Sequence, residues 1–194
     1  MSEIDYTRRR LLAAGGVAVG ACLLPGVALS SPYKASSPNE VSNPNEVTSA
    51  RTLSLCNIHT REDLETQYFD GKSYIRQELQ RINHICRDFR RNEVAHMDRR
   101  LFDAIAEIQQ GLGHKGQVRI ISGYRSPDTN RALQKNGGVA KKSYHMKGQA
   151  IDFNLEGVPL SKVRNAALEL RLGGVGYYPK SGFVHIDTGP VRRW

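Results

Sequence analysis

Five residues, FVHID at 183–187, constrain the fold more than any other stretch of this 194-residue chain. In a strand, successive side chains point to opposite faces of the sheet. Val184 and Ile186 then face one side, and Phe183, His185 and Asp187 the other. The apolar side demands a core. The other side puts a histidine and an aspartate in an otherwise apolar region, and ionisable side chains are seldom buried without a partner. A sheet with a core on one face and a polar site on the other meets both demands.

A second stretch, SYHMKGQAIDF at 143–153, places His145 and Asp152 seven residues apart, with Gly148 between them. Asp152 lies in a short apolar run, AIDFNL at 150–155, that reads as a strand. Gly148 lets the loop turn, so that His145 can face the same centre as Asp152. Ala150 is small and leaves room beside the strand. A catalytic metal site commonly takes three protein ligands from His, Asp or Glu and keeps one position open. His145 and Asp152 can supply two. Of the six histidines, His185 is the strongest third candidate, because its strand neighbours are apolar and point the other way. His59 falls at a strand end, His84 in a helix, and His96 and His114 in loops. Taken singly, a His-x6-Asp or a His-x-Asp pair is also what a plain hydrogen-bonded pair looks like. Two imidazoles and a carboxylate accept zinc and other divalent ions alike.

The remaining periodicity fills in the elements around these two stretches. TLSLCNI at 52–58 and LETQYF at 64–69 read as strands. From Ser73, the stripe Ile75, Leu79, Ile82, Cys86 and Phe89 predicts a helix. Asp98 is a cap for a second helix with the face Leu101, Ile105, Ile108 and Leu112, ended by Gly111 and Gly113. VRIIS at 118–122 is a buried strand, and SPDTNRAL begins a helix with proline at its first position. GGVAKKS at 137–143 is a loop, and Pro159 opens a helix along Val163, Ala166, Ala167 and Leu170. GVGYY is a short strand before FVHID. Strands and helices mix without regular alternation. The expected class is α+β, a mainly antiparallel sheet with helices packed on one side. Residues 51–194 are enough for a substantial core.

The first fifty residues read differently. TRRRLL at 7–12 precedes the apolar stretch LLAAGGVAVGACLLPGVALS at 11–30. That is a basic segment, a weakly hydrophobic segment and a small-residue end near Ala28–Ser30. The paired Arg8 and Arg9 after Thr7 resemble a bacterial twin-arginine export signal. Its glycines and Pro25 suit removal better than stable membrane insertion. The expectation is export by the twin-arginine machinery to the periplasm, with residues 1–30 as signal. Residues 31–50, with the near-repeat SPNEVS and NPNEVT, read as a flexible linker. Net charge is +9, and removing residues 1–30 leaves 25 basic against 17 acidic residues. The body itself is therefore basic and suits a polyanion: nucleic acid, anionic lipid or an acidic wall polymer. The export signal and the lack of a recognised motif argue against nucleic acid. Cys56 and Cys86 are the thiols beyond the signal, and an oxidising compartment permits either a disulfide or two buried thiols.

SGYRS at 122–126, SYHMKGQAID at 143–152 and FVHIDTG at 183–189 stand in that order. Together they resemble the zinc peptidases of the D-Ala-D-Ala carboxypeptidase and hedgehog-like group, which act on bacterial cell-wall peptides. The resemblance runs through GGVGYYP at 173–179 to Trp194 and leaves out the linker. It implies that group's fold, with Zn2+ held by His145, Asp152 and His185. It also implies hydrolysis of peptidoglycan cross-links, those between two diaminopimelate residues being favoured. Two other activities share the resemblance: D-Ala-D-Ala carboxypeptidase action at the same site, and a zinc-containing wall-binding module without turnover.

In that group the arginine of the first motif, here Arg125, faces the substrate cleft, where its planar fork suits a carboxylate or a developing oxyanion. Ser143 is a candidate to orient substrate or a ligand. Relatives often carry a catalytic Glu three residues before the last histidine, or a His two before it. Here Gly182 and Phe183 stand there. Asp187, two residues after His185, is the substitute expected as general base, with a role as hydrogen-bond partner of a ligand histidine as the alternative. Lys141, Lys142 and Lys147 surround the His145 loop, and their charge suits the free carboxylates of stem peptides. Tyr177 and Tyr178 either line the cleft or pack a turn, and Tyr124 is open between cleft and core.

Overall fold

The structure, a computed structural model, describes residues 49–135, 137 and 139–194. The expected signal at 1–30, and all of the expected linker except residues 49 and 50, lie outside the described residues. Strands β1 (Arg51–Asn57) and β2 (Glu62–Phe69) come first, then helices α1 (Arg76–Ile85) and α2 (Arg100–Gly111). Strand β3 (Val118–Ser122), helix α3 (Pro127–Lys135), strand β4 (Ala150–Leu155) and helix α4 (Leu160–Leu170) follow. Strands β5 (Gly174–Tyr178), β6 (Phe183–Asp187) and β7 (Arg192–Arg193) complete the order.

The strands form a seven-stranded sheet in the order β2-β1-β3-β4-β6-β5-β7. Its class is α+β, but the sheet is mixed. β1 pairs in parallel with β3, and β5 with β7, while the other pairings are antiparallel. A parallel pair needs a long crossover, and α1 and α2 provide it between β2 and β3. The one-sided strands of the sequence could not reveal this connection.

Ile151, Phe153 and Leu155 of β4 and Val184 and Ile186 of β6 join one buried apolar cluster with Leu101, Phe102, Ile105 and Ile108 of α2 and Val163 and Ala167 of α4. The alternation read from FVHID therefore holds: the even positions of β6 enter this core. α1 starts at Arg76 and not at Ser73, because the Asp70 carboxylate accepts the backbone N–H groups of Lys72 and Ser73 and ties them into a turn. Phe89 lies beyond the helix and stacks on His59 at 4.2 Å. Asp98 accepts the N–H of Arg100 (3.1 Å) at the start of α2. Cys56 and Cys86 are free thiols, Cys86 fully buried. No described helix is long and apolar enough to cross a membrane.

One buried acid organises the segment before α3. Asp88 accepts the N–H and the hydroxyl of Ser126 (2.9 and 2.7 Å) and the N–H of Arg90 (3.1 Å). Ser126 Oγ in turn accepts the Thr129 N–H (3.2 Å), capping α3. Burial pushes the Asp88 carboxyl up, but the hydrogen bonds from Thr129, Ser126 and Arg90 outweigh it and hold it below its ordinary value. Its stabilising effect is then complete above the unfolded value of about 4 and is lost as pH falls through the lower folded value. Asp88→Asn is expected to lower Tm at neutral pH and to flatten the fall of Tm below pH ~4. An acid limb identical to wild type in a Tm–pH series would remove Asp88 from this role.

Candidate metal centre

His145 sits on a short 3-10 helix, Tyr144–Lys147, inside what reads in sequence as continuous loop. Ser143 precedes it, and its Oγ accepts the His145 N–H (3.3 Å). Gly148 ends it with φ 65°, and the chain turns directly into β4. On β4, Asp152 is paired across the antiparallel ladder with His185 on β6. Cross-strand partners on one face are close neighbours, so strand register alone brings these two side chains together. The 3-10 helix then delivers His145 to the same spot.

The three side chains meet. Asp152 Oδ1 is 2.7 Å from His185 Nδ1 and 3.3 Å from His145 Nε2, and the two ring nitrogens are 3.3 Å apart. All three residues are buried. The outward nitrogens show how the rings are oriented. His145 Nδ1 is 2.7 Å from the Gly123 carbonyl oxygen, which can only accept, so that nitrogen carries the proton. His185 Nε2 is 3.0 Å from Asp187 Oδ2 and donates to it. Both inward nitrogens then present lone pairs to each other and to a carboxylate oxygen. Such atoms repel unless a proton or a cation lies among them. Two imidazoles and one carboxylate, each ring fixed by a hydrogen bond on its far side, match the donor set of a divalent metal.

The two carboxylates also draw positive charge to this spot. Burial pushes the Asp152 carboxyl up, but His145 and His185 outweigh it and hold it well below the usual carboxylate range. Burial lowers His185, and the Asp152 and Asp187 carboxylates outweigh that and raise it.

Asp187 stands apart from the centre. It is fully buried and touches His185 at the nitrogen opposite to the inward one. Its two oxygens also accept the N–H groups of Gly174 (3.1 Å) and Gly189 (2.9 Å) and both terminal nitrogens of Arg192 (3.0 and 2.6 Å). Expected as a general base or as the hydrogen-bond partner of a ligand histidine, Asp187 meets His185 on the side of the ring away from His145 and Asp152.

Arg125 is buried too, with its Nη2 4.0 Å from Asp152 Oδ2. Its other side-chain contacts are long, 3.4 Å to Asn130 Oδ1 and 3.4 Å to Ser122 Oγ, and its Nε has no partner. Burial pulls the guanidinium below its ordinary value. Its backbone N–H donates to the His145 carbonyl (3.2 Å), which ties the two loops together.

An open cleft of about 200 Å³ lies over the centre, and Arg125, Ser143, His145, Asp152 and His185 all line it. Of the lysines noted in sequence, Lys142 lines it, while Lys147 is held over the Tyr144 ring at 5.4 Å. Tyr178, Phe183 and Trp194 form its aromatic wall, with Phe183 stacked on Tyr178 (4.6 Å) and Trp194 Nε1 donating to the Tyr178 hydroxyl (2.6 Å). Tyr177 packs on the core side instead. Sequence reasoning passed over Arg192, which borders the cleft. The signal was the pair Asp187 and Arg192 five residues apart, and only the turn between β6 and β7 turns that spacing into contact.

Residues 45–194 match the family described as peptidoglycan L,D-endopeptidase MepK. This chain belongs to that family. The peptidoglycan L,D-endopeptidase MepK of Escherichia coli (strain K12) is 50% identical over 198 residues, covering 100% of both chains. The protein of that name from Shigella flexneri shows the same identity and coverage. The probable peptidoglycan L,D-endopeptidase MepK of Haemophilus influenzae is 42% identical over 196 residues, covering 100% of this chain and 98% of that protein. No solved structure matches the chain.

Proposed function

We propose that this protein is a zinc-dependent endopeptidase that hydrolyses the peptide cross-links of peptidoglycan in the periplasm. The cross-link between two diaminopimelate residues is its proposed substrate. The carrying observation is the convergence of His145, Asp152 and His185 to within 3.3 Å of one another beneath an open cleft, in a chain of this family. We read the fold as that of the D-Ala-D-Ala-peptidase and hedgehog-like group, and residues 1–30 as the signal that hands the protein to the twin-arginine machinery.

His145, Asp152 and His185 would hold the zinc ion, which would supply Lewis acidity toward the scissile carbonyl and the attacking water. The chain's own residues hold the ring and the substrate. Asp187 keeps the His185 ring in its tautomer and does not itself take the proton from water. Arg125, short of partners inside the fold, offers its fork to a substrate carboxylate or to the oxyanion that develops on the carbonyl. Ser143 holds the His145 backbone and borders the substrate. Lys142 adds positive charge at the rim, where stem-peptide carboxylates arrive.

Mass analysis of digested muropeptides tests the reading. The zinc-loaded protein is expected to convert cross-linked dimers to monomers with no loss of terminal alanine. Trimming of a terminal alanine from monomers would replace this reading with a carboxypeptidase. Binding to sacculi with full zinc occupancy and no released fragment would leave a wall-binding module.

A further inference from the structure

We propose that Arg192 is a positioning residue for the metal centre: it locks Asp187, and through Asp187 the His185 ring, with Nδ1 turned toward His145 and Asp152. The proposal rests on reading the triad as a metal site. The guanidinium meets Asp187 through two parallel contacts, Nη1 to Oδ1 (3.0 Å) and Nη2 to Oδ2 (2.6 Å). A bidentate pair fixes the plane of the carboxylate as well as its place. Oδ2, the oxygen that faces Arg192 Nη2, is also the one that accepts from His185 Nε2. The orientation of Arg192 is thus passed on to the metal ligand through a single atom.

Arg192 is itself held. Its guanidinium lies over the Tyr144 ring (5.2 Å) and over the Trp194 ring (4.9 Å), and Nη1 also donates to the Pro190 carbonyl (3.0 Å). Tyr144 immediately precedes His145, and the Trp194 ring lies 5.3 Å from that of His185. One side chain therefore links the segments that carry two of the three ligands. Two glycines keep this space clear. A Cβ on Gly174 would sit 2.5 Å from both Arg192 Nη1 and Asp187 Oδ2, and one on Gly189 would overlap the Tyr144 ring.

The test measures zinc affinity of the full chain by competition with a chromophoric chelator, alongside Tm of the zinc-free protein. Removal of an outer hydrogen-bond partner typically weakens a metal site about 10- to 100-fold. Arg192→Ala is expected to lose affinity in that range while the zinc-free form still melts cooperatively. Arg192→Lys recovers part of it, because an ammonium reaches one oxygen but cannot span both. Asp187→Ala combined with Arg192→Ala is expected to bind no more weakly than Asp187→Ala alone, the mark of one shared path. Arg192→Ala with wild-type affinity, or losses that add in the double variant, would overturn the proposal. If Arg192→Ala does not fold, Arg192→Gln carries the same comparison, with wild-type affinity again overturning it. Wild-type protein that binds zinc no better than His145→Ala would instead defeat the underlying reading of the triad.

Discussion

Replacement of His145 by alanine is expected to reduce cross-link hydrolysis by at least about 10³-fold, a barrier increase of about 4 kcal/mol. The variant removes one of the three proposed ligand atoms, which lie within 3.3 Å of one another, and leaves a His–Asp pair to hold a divalent ion. It also strips the Gly123 carbonyl of its donor. Two ligands neither hold the ion firmly nor set its open position, so activity and metal content should fall together. The fold should survive, because His145 belongs to a surface-connected cleft and is not a member of the apolar cluster. Muropeptide digestion, zinc analysis and a melting curve on one preparation check all three points. A His145→Ala protein that retains both zinc and rapid hydrolysis would show that the triad is not the working site.

Gly148→Ala is expected to lower stability by about 3 kcal/mol or more, and Tm by roughly 10 °C. Gly148 has φ 65°, a conformation that costs a residue with a Cβ about 1–2 kcal/mol. The new methyl would also overlap the His96 carbonyl oxygen and press on the Met97 Cα, both backbone atoms that cannot swing aside. The Gly148 carbonyl accepts the Asp98 N–H (2.8 Å), which joins this turn to the start of α2. Relief of the clash would pull that contact apart and shift His145 relative to Asp152, so weaker zinc binding should accompany the lower Tm. A melting curve within 2 °C of wild type would show that the turn relaxes at little cost.

The sequence made some of this arrangement readable because a strand's alternation is local. FVHID and AIDF state which residues face the core, and the members that β4 and β6 give to the apolar cluster keep to that alternation. The meeting of Asp152 with His185 depends on strand register, which no local pattern contains, and the family resemblance was needed to join them. The 3-10 helix under His145 was invisible, since four residues leave no periodicity to detect. The role of Asp187 was open in the sequence because a His-x-Asp pair on one strand face serves equally well as base or as orienting partner. The contact that favours the partner role comes from Arg192, on a two-residue strand too short to read. The mixed sheet was hidden for a similar reason: pairing direction depends on where the crossover helices carry the chain.

The margins of the sheet bear opposite charge. β2 exposes Asp63 and Glu65 along one border, and β7 exposes Arg192 and Arg193 along the other. Borders with unpaired backbone are templates on which a second molecule can polymerise. Two molecules meeting acid to acid or base to base repel, an acidic border meeting a basic one attracts, and a β7 of two residues gives a foreign strand little to zip against in either case. Protection against edge-to-edge growth therefore rests on the shortness of β7, and salt, which screens attraction and repulsion alike, should not raise turbidity at high protein concentration.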